Sequence, residues 1–87
     1  MIHELKINPV YADEFIKGNK QWEIRKDDRN FKVGDLIKFV INGTIKIYFV
    51  EITYIFKGGE YGLKKDYVIM TVKLIAYSEF EKLSKTF

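Results

Sequence analysis

Residues 18–31 read GNKQWEIRKDDRNF. Half of these positions are charged: Lys20, Glu23, Arg25, Lys26, Asp27, Asp28 and Arg29. The stretch also holds the only tryptophan of the chain, Trp22. Side chains alternate along a strand, so a strand from about Gln21 to Lys26 puts Trp22 and Ile24 on one face and Glu23 and Arg25 on the other. The apolar pair is expected against the core and the charged pair outward. Asp27 to Asn30 reads as a polar turn in which aspartates bond the local backbone. The segment is then either a solvated, salt-bridged turn or one wall of a binding site.

Working outward, Ile2 to Ile7 alternates as a first strand. Asn8-Pro9 reads as a helix start, with Asn8 as N-cap and Pro9 at the first helical position. The pairs Tyr11/Phe15 and Ala12/Ile16 supply an apolar face, and Gly18 is a C-terminal stop. After the charged stretch, Phe31 to Asp35 leads into a strand over Leu36 to Ile41. Asn42-Gly43 is the strongest hairpin signal and predicts a type I′ turn.

The return strand is read over Thr44 to Phe56. Ile45, Ile47 and Phe49 share one parity. Val50, Ile52, Tyr54 and Phe56 take the other, so a β-bulge is expected at Phe49-Val50. Residues 57–66, KGGEYGLKKD, form a glycine-rich loop. A last strand over Tyr67 to Ala76 points Val68, Met70, Val72 and Leu74 inward. Ser78 to Glu81 spells a capping box and predicts a short terminal helix. The order β-α-β-β-β-β-α, with strands suited to antiparallel pairing, implies an α+β, mainly β fold: a small, partly open barrel plugged by a helix.

The 87 residues allow one domain, residues 1–87. Aromatics make up 16% of the chain, enough for large rings to help so small a core. The absence of cysteine excludes disulfides, thiolate metal sites and thiol nucleophiles. The polar N-terminus lacks the apolar run of a signal peptide, and no apolar run reaches the length of a membrane span. A cytoplasmic protein with no membrane partner is expected. No cofactor is implied, and Asp27-Asp28 has no further ligand at metal-binding spacing. The net charge is +3, and residues 17–38 carry all of it, with seven basic groups against four acidic ones. A local basic bias suits an anionic partner.

The segments H3-E-L-K6, G18-N-K-Q-W-E-I-R25, K26-D-D-R29-N-F31, V33-G-D35, Y54-I-F-K-G-G59-E-Y-G-L63 and Y67-V-I-M70 resemble the ASCH-type domains of the PUA-like superfamily. They are most similar to a small bacterial and phage branch of unknown function. The resemblance spans roughly residues 2–75. It implies a pseudo-β-barrel of five to six strands with flanking helices, and RNA or a nucleotide-like ligand bound in the cleft beside the G-x-K-x-x-E-x-R run. The expected contact residues are Lys20, Glu23, Arg25, Lys26, Arg29, His3 and Lys6, with Tyr61 as an exposed ring. An arginine that members of the branch carry after a longer hairpin has no counterpart here.

Each of these residues also has a plainer reading. Lys20 is then solvated, Glu23 and Arg25 pair only with each other, and Trp22 is core. Two other functions remain open. Some ASCH proteins are hydrolases that act on an acetylated cytidine through a lysine, a threonine three residues later and a distant glutamate, and related domains are reported to cut RNA. Lys20 matches the lysine, Glu23 stands where the threonine would be, and Glu51 or Glu60 is the available carboxylate. A protein-interaction module of a phage or mobile element, pairing through an edge strand, is the third reading.

Overall fold

A computed structural model describes residues 1–87. The elements are β1 (Ile2–Ile7), α1 (Pro9–Ile16), β2 (Trp22–Lys26), β3 (Leu36–Ile41), β4 (Ile47–Lys57), β5 (Tyr67–Ile75) and α2 (Tyr77–Ser84). The five strands form one curled sheet in the order β1-β3-β4-β5-β2, a half-barrel with β1 and β2 at its two edges. The pairs β3/β4, β4/β5 and β5/β2 are antiparallel, whereas β1 runs parallel to β3, from Ile2 opposite Leu36 to Ile7 opposite Ile41. That parallel pair replaces the all-antiparallel sheet expected. A parallel neighbour needs a crossover, and α1 with β2 supplies it by carrying the chain to the far edge. No helix is long and apolar enough to cross a membrane.

Helix α1 begins where Asn8-Pro9 predicts. The Asn8 side chain accepts a hydrogen bond from the Val10 N–H at 2.8 Å, and Gly18 leaves the helix at φ +82°. Only Ala12 and Phe15 of the expected apolar face are buried, while Tyr11 and Ile16 are exposed. Phe15 stacks on Tyr48 at 5.1 Å and plugs the concave side of the sheet. The main core lies there, built on Phe39, Ile37, Val50, Ile52 and Met70.

Several expectations about the later elements are corrected. At the β3–β4 turn Gly43 has φ +78°, but Asn42 is not left-handed, so the turn is not type I′. The Thr44 hydroxyl donates to the Ile41 carbonyl and accepts from the Lys46 N–H. It holds a longer loop, so β4 starts at Ile47 and Ile45 is fully exposed. The bulge lies between Ile52 and Tyr54, not at Phe49-Val50. No parity change is needed at Phe49, because α2 covers the opposite face of the sheet there. Phe49 packs with Leu36, Ile75, Phe80 and Leu83 in a second small core. Beyond the bulge Tyr54 points to solvent, and Leu74 is also exposed. Finally, α2 starts at Tyr77 with Ala76 at its cap and no side-chain capping bond, so the Ser78–Glu81 box is not used.

The lead-in to β3 is tied to β1 through one buried carboxylate. Asp35 accepts from the Lys32 N–H at 3.1 Å and lies 2.8 Å from His3 Nε2 and 3.0 Å from the Met1 amino group. His3 is itself buried, edge-on to Phe31 at 4.7 Å. Desolvation pushes the Asp35 pKa up. The bonds from His3, the amino group and Lys32 outweigh it, and the net shift is downward. A carboxylate with a lowered folded-state pKa stabilises the fold above its unfolded pKa, and that contribution is lost as pH falls through the folded value. The expected outcome for Asp35→Asn is a lower Tm whose gap from wild type is constant above about pH 5 and closes below about pH 4. Thermal unfolding across that range checks it, and a pH-independent gap would refute it.

Candidate nucleic-acid interface

Strand β2 is an edge strand paired only to β5, with Glu23 opposite Met70 and Ile24 opposite Ile69. Met70 is fully buried. Register therefore forces Glu23 inward as well, and its exposure is only 5%. The neighbours Trp22 and Ile24 are 44% and 51% exposed, which inverts the parity read from the sequence. The physical reason is pairing. Apolarity favoured Trp22 and Ile24 for the core, but a buried carboxylate is tolerated when cations satisfy it, and here two do.

Lys20 Nζ lies 2.6 Å from Glu23 Oε1 and also donates to the Trp22 carbonyl at 2.6 Å. Arg25 Nε donates to Glu23 Oε2 at 3.3 Å. Its Nη2 reaches across to the Lys6 carbonyl on β1 at 2.9 Å, and its Cζ sits 5.7 Å over the Phe39 ring. Arg29 makes a second crossing, from Nη1 to the Glu4 carbonyl at 3.3 Å. The two edges of the half-barrel are thus bridged by arginine side chains.

Two shallow hollows flank this bridge and share Glu23, Ile24 and Tyr11. One of about 250 Å³ is lined also by Lys6, Ile7, Asn8 and Arg25. The other, of about 420 Å³, is lined also by Lys20 and Trp22. Lys20 Nζ is 5.5 Å from the Tyr11 ring centre and 5.9 Å from that of Trp22, within cation–π range of both. Lys20 uses two of its three donors and Arg25 two of its five, so N–H groups remain for a ligand.

Residues 2–72 match the family described as Domain of unknown function (DUF3850). The chain belongs to that family. An uncharacterized 12.9 kDa protein in the GpA 3' region of Escherichia phage P2 is 44% identical over 36 residues, which cover 41% of this chain and 33% of that protein. The alignment therefore spans a third of that relative's length. Among solved structures, the crystal structure of hypothetical protein PH0355 superposes with a TM-score of 0.63 at 21% identity, covering 86% of this chain and all of that one. That likeness extends to the fold.

In this DUF3850 chain the expected contact residues divide. Lys20, Glu23, Arg25 and Lys6 come together at the hollows. Arg29 lies along the same seam. Lys26 is outside it, exposed and 3.9 Å from Asp66. His3 is buried on Asp35, and Tyr61 is fully exposed in the glycine-rich loop. Asp27 serves its turn, accepting from the Phe31 N–H at 3.0 Å. Two residues escaped the sequence reading. Tyr11 was assigned to the core face of α1 because of its spacing. Tyr48 gave no signal at all, since an aromatic in a strand reads as packing.

The Tyr48 hydroxyl is buried without a hydrogen-bond partner. Burial drives its pKa well above the usual phenol range. The Glu23 carboxylate adds to that rise and Arg25 opposes it. An unsatisfied buried hydroxyl costs about 1–3 kcal/mol. Tyr48→Phe is therefore expected to raise unfolding stability by about 1 kcal/mol, and Glu23→Gln to lower it by up to about 3 kcal/mol by leaving two cations unpaired. Urea unfolding of both variants checks the opposite signs.

Proposed function

We propose that this protein binds single-stranded RNA, with one base seated in the hollow between Tyr11 and Trp22. The observation that carries this reading is the composition of that hollow. Two half-exposed rings stand at its rim, and a Lys20–Glu23 pair with spare hydrogen-bonding capacity forms its floor. Rings stack on any base face, while a carboxylate and an ammonium side by side meet the donors and acceptors of a base edge. The resemblance of the K20-Q-W-E-I-R25 run to ASCH-type domains supports the same reading.

The hydrolase reading has less behind it. Glu23 occupies the position of the hydroxyl residue and engages the Lys20 ammonium. Glu51 lies in β4 opposite Leu36 and Lys73, and Glu60 lies in the exposed loop. Neither lines the Lys20 hollow. Strand addition by a protein partner is also less favoured, because Arg25 and Arg29 already occupy carbonyls on the outer edge of β1.

Glu23 cancels one of the two charges beside it, so the hollow offers few free cations for phosphates. Each phosphate neutralised on a single strand contributes a slope of about −0.7 to log K against log salt. A shallow slope of about −1 to −2 is expected, with affinity resting mainly on stacking. Because Trp22 is the only tryptophan, its fluorescence reports the site directly. Titration with single-stranded RNA at two salt concentrations should give saturable quenching, weakened about tenfold in Lys20→Met with folding intact. Absence of any fluorescence or anisotropy change would overturn the proposal.

A further inference from the structure

Alternation places Trp22 and Ile24, on either side of Glu23, on the convex face of β4, β5 and β2. The register aligns them in rows. Trp22 lies beside Thr71 and Thr71 beside Tyr54, and in the next row Ile24 lies beside Ile69 and Ile69 beside Phe56. Helix α2 covers this face only at its far end, over Phe49 and Ile75, and leaves these two rows open. Tyr54 is 61% exposed, alongside the half-exposed Trp22 and Ile24. The rows continue into the glycine-rich loop, where Tyr61 lies 6.1 Å from the Phe56 ring and is 94% exposed.

Tyr61 is held in the left-handed region at φ +52°, which is unusual for a bulky residue. The loop enforces it through Gly58 N–H to the Tyr67 carbonyl and Gly59 N–H to the Leu63 carbonyl, both at 2.8 Å. Gly58 has no room for a side chain, since a Cβ there would run into the Lys64 and Tyr67 carbonyl oxygens. The backbone thus presents one tyrosine ring to solvent beside an aromatic sheet face.

The two rows carry no carboxylate. The face ends at Lys26, beside Tyr67, and the adjoining loop carries Lys64 and Lys65 against Glu60 and Asp66. A second copy of the chain docked on this face would bring the same excess of lysines to it. A polyanion with stackable groups complements both the charge and the rings.

We infer that the convex face of β4–β5–β2, with Tyr54, Phe56 and Tyr61 as stacking rings, is a second contact surface for single-stranded nucleic acid, continuous with the hollow through Trp22. This inference rests on the RNA reading above and extends it from one base to a run of bases.

The test compares an oligonucleotide of three uridines with one of roughly twelve, a length within the range that small stacking domains occupy. Wild type and Tyr54→Ala/Tyr61→Ala are titrated by anisotropy, with unfolding curves confirming that the variant folds. The expected result is a loss of roughly tenfold or more for the long strand, little change for the short one, and recovery in Tyr54→Phe/Tyr61→Phe. Equal affinity of wild type and the alanine variant for the long strand overturns the second surface and leaves the hollow standing. Failure of wild type to bind either strand overturns both. Light scattering that shows a wild-type dimer abolished by the alanine variant overturns the inference in favour of a second copy as occupant.

Discussion

A five-stranded sheet of this length curls but does not close, and Arg25, held by Glu23, bridges the gap. Strands β1 and β2 sit at opposite ends of the strand order, so neither finds a backbone partner on its outer side. Arg25 spans the opening by donating to the Lys6 carbonyl, and an arginine reaching across a half-buried seam needs an anion to hold its fork. Glu23 is that anion, and Lys20 engages its other carboxylate oxygen, which leaves one positive charge in excess. Removing Glu23 leaves two like charges unpaired in a poorly solvated place, and removing Arg25 loses the crossing to β1. The seam, the burial of Glu23 and the orientation of β2 are therefore one arrangement.

This arrangement also explains why Lys20 and Arg25 are poor candidates for simple phosphate clamps. A phosphate clamp needs cations free of protein carboxylates, and these two share one. Their spare N–H groups suit the in-plane edge of a base better than a diffuse negative charge. Lysines without a carboxylate partner lie elsewhere, with Lys64 and Lys65 in the loop beyond the convex face.

Most of the element order was legible in the sequence because it rests on local chemistry. Asn8-Pro9 starts a helix and Gly18 ends it for reasons confined to a few residues. What was not legible depended on partners distant in sequence. Val50 and Phe49 look like a parity break only when one face is assumed to be solvent, and α2, more than twenty residues later, covers that face. The Asn42-Gly43 turn was located, but the Thr44 hydroxyl, which lengthens it, competes on nearly equal terms with strand pairing. The β1/β3 parallel pair left no local mark. The charged cluster was found at the right residues and on the wrong side of the strand. Hydropathy ranks Trp22 above Glu23 for burial, and only the knowledge that Lys20 and Arg25 converge on Glu23 reverses that order.

The reversal has a consequence at the surface. In a strand no residue can be turned inward without turning its neighbours outward. Once Glu23 and Arg25 face the seam, Trp22, Ile24 and Lys26 must face solvent, and the register with β5 and β4 carries that exposure on to Ile69, Thr71, Tyr54 and Phe56. Monomeric soluble proteins ordinarily bury such side chains or replace them with polar ones, and large contiguous apolar patches are uncommon on them. Here the face that would conventionally have been the core side of β2 is the outside. The charged triad at the seam and the exposed aromatic face are the two sides of a single strand.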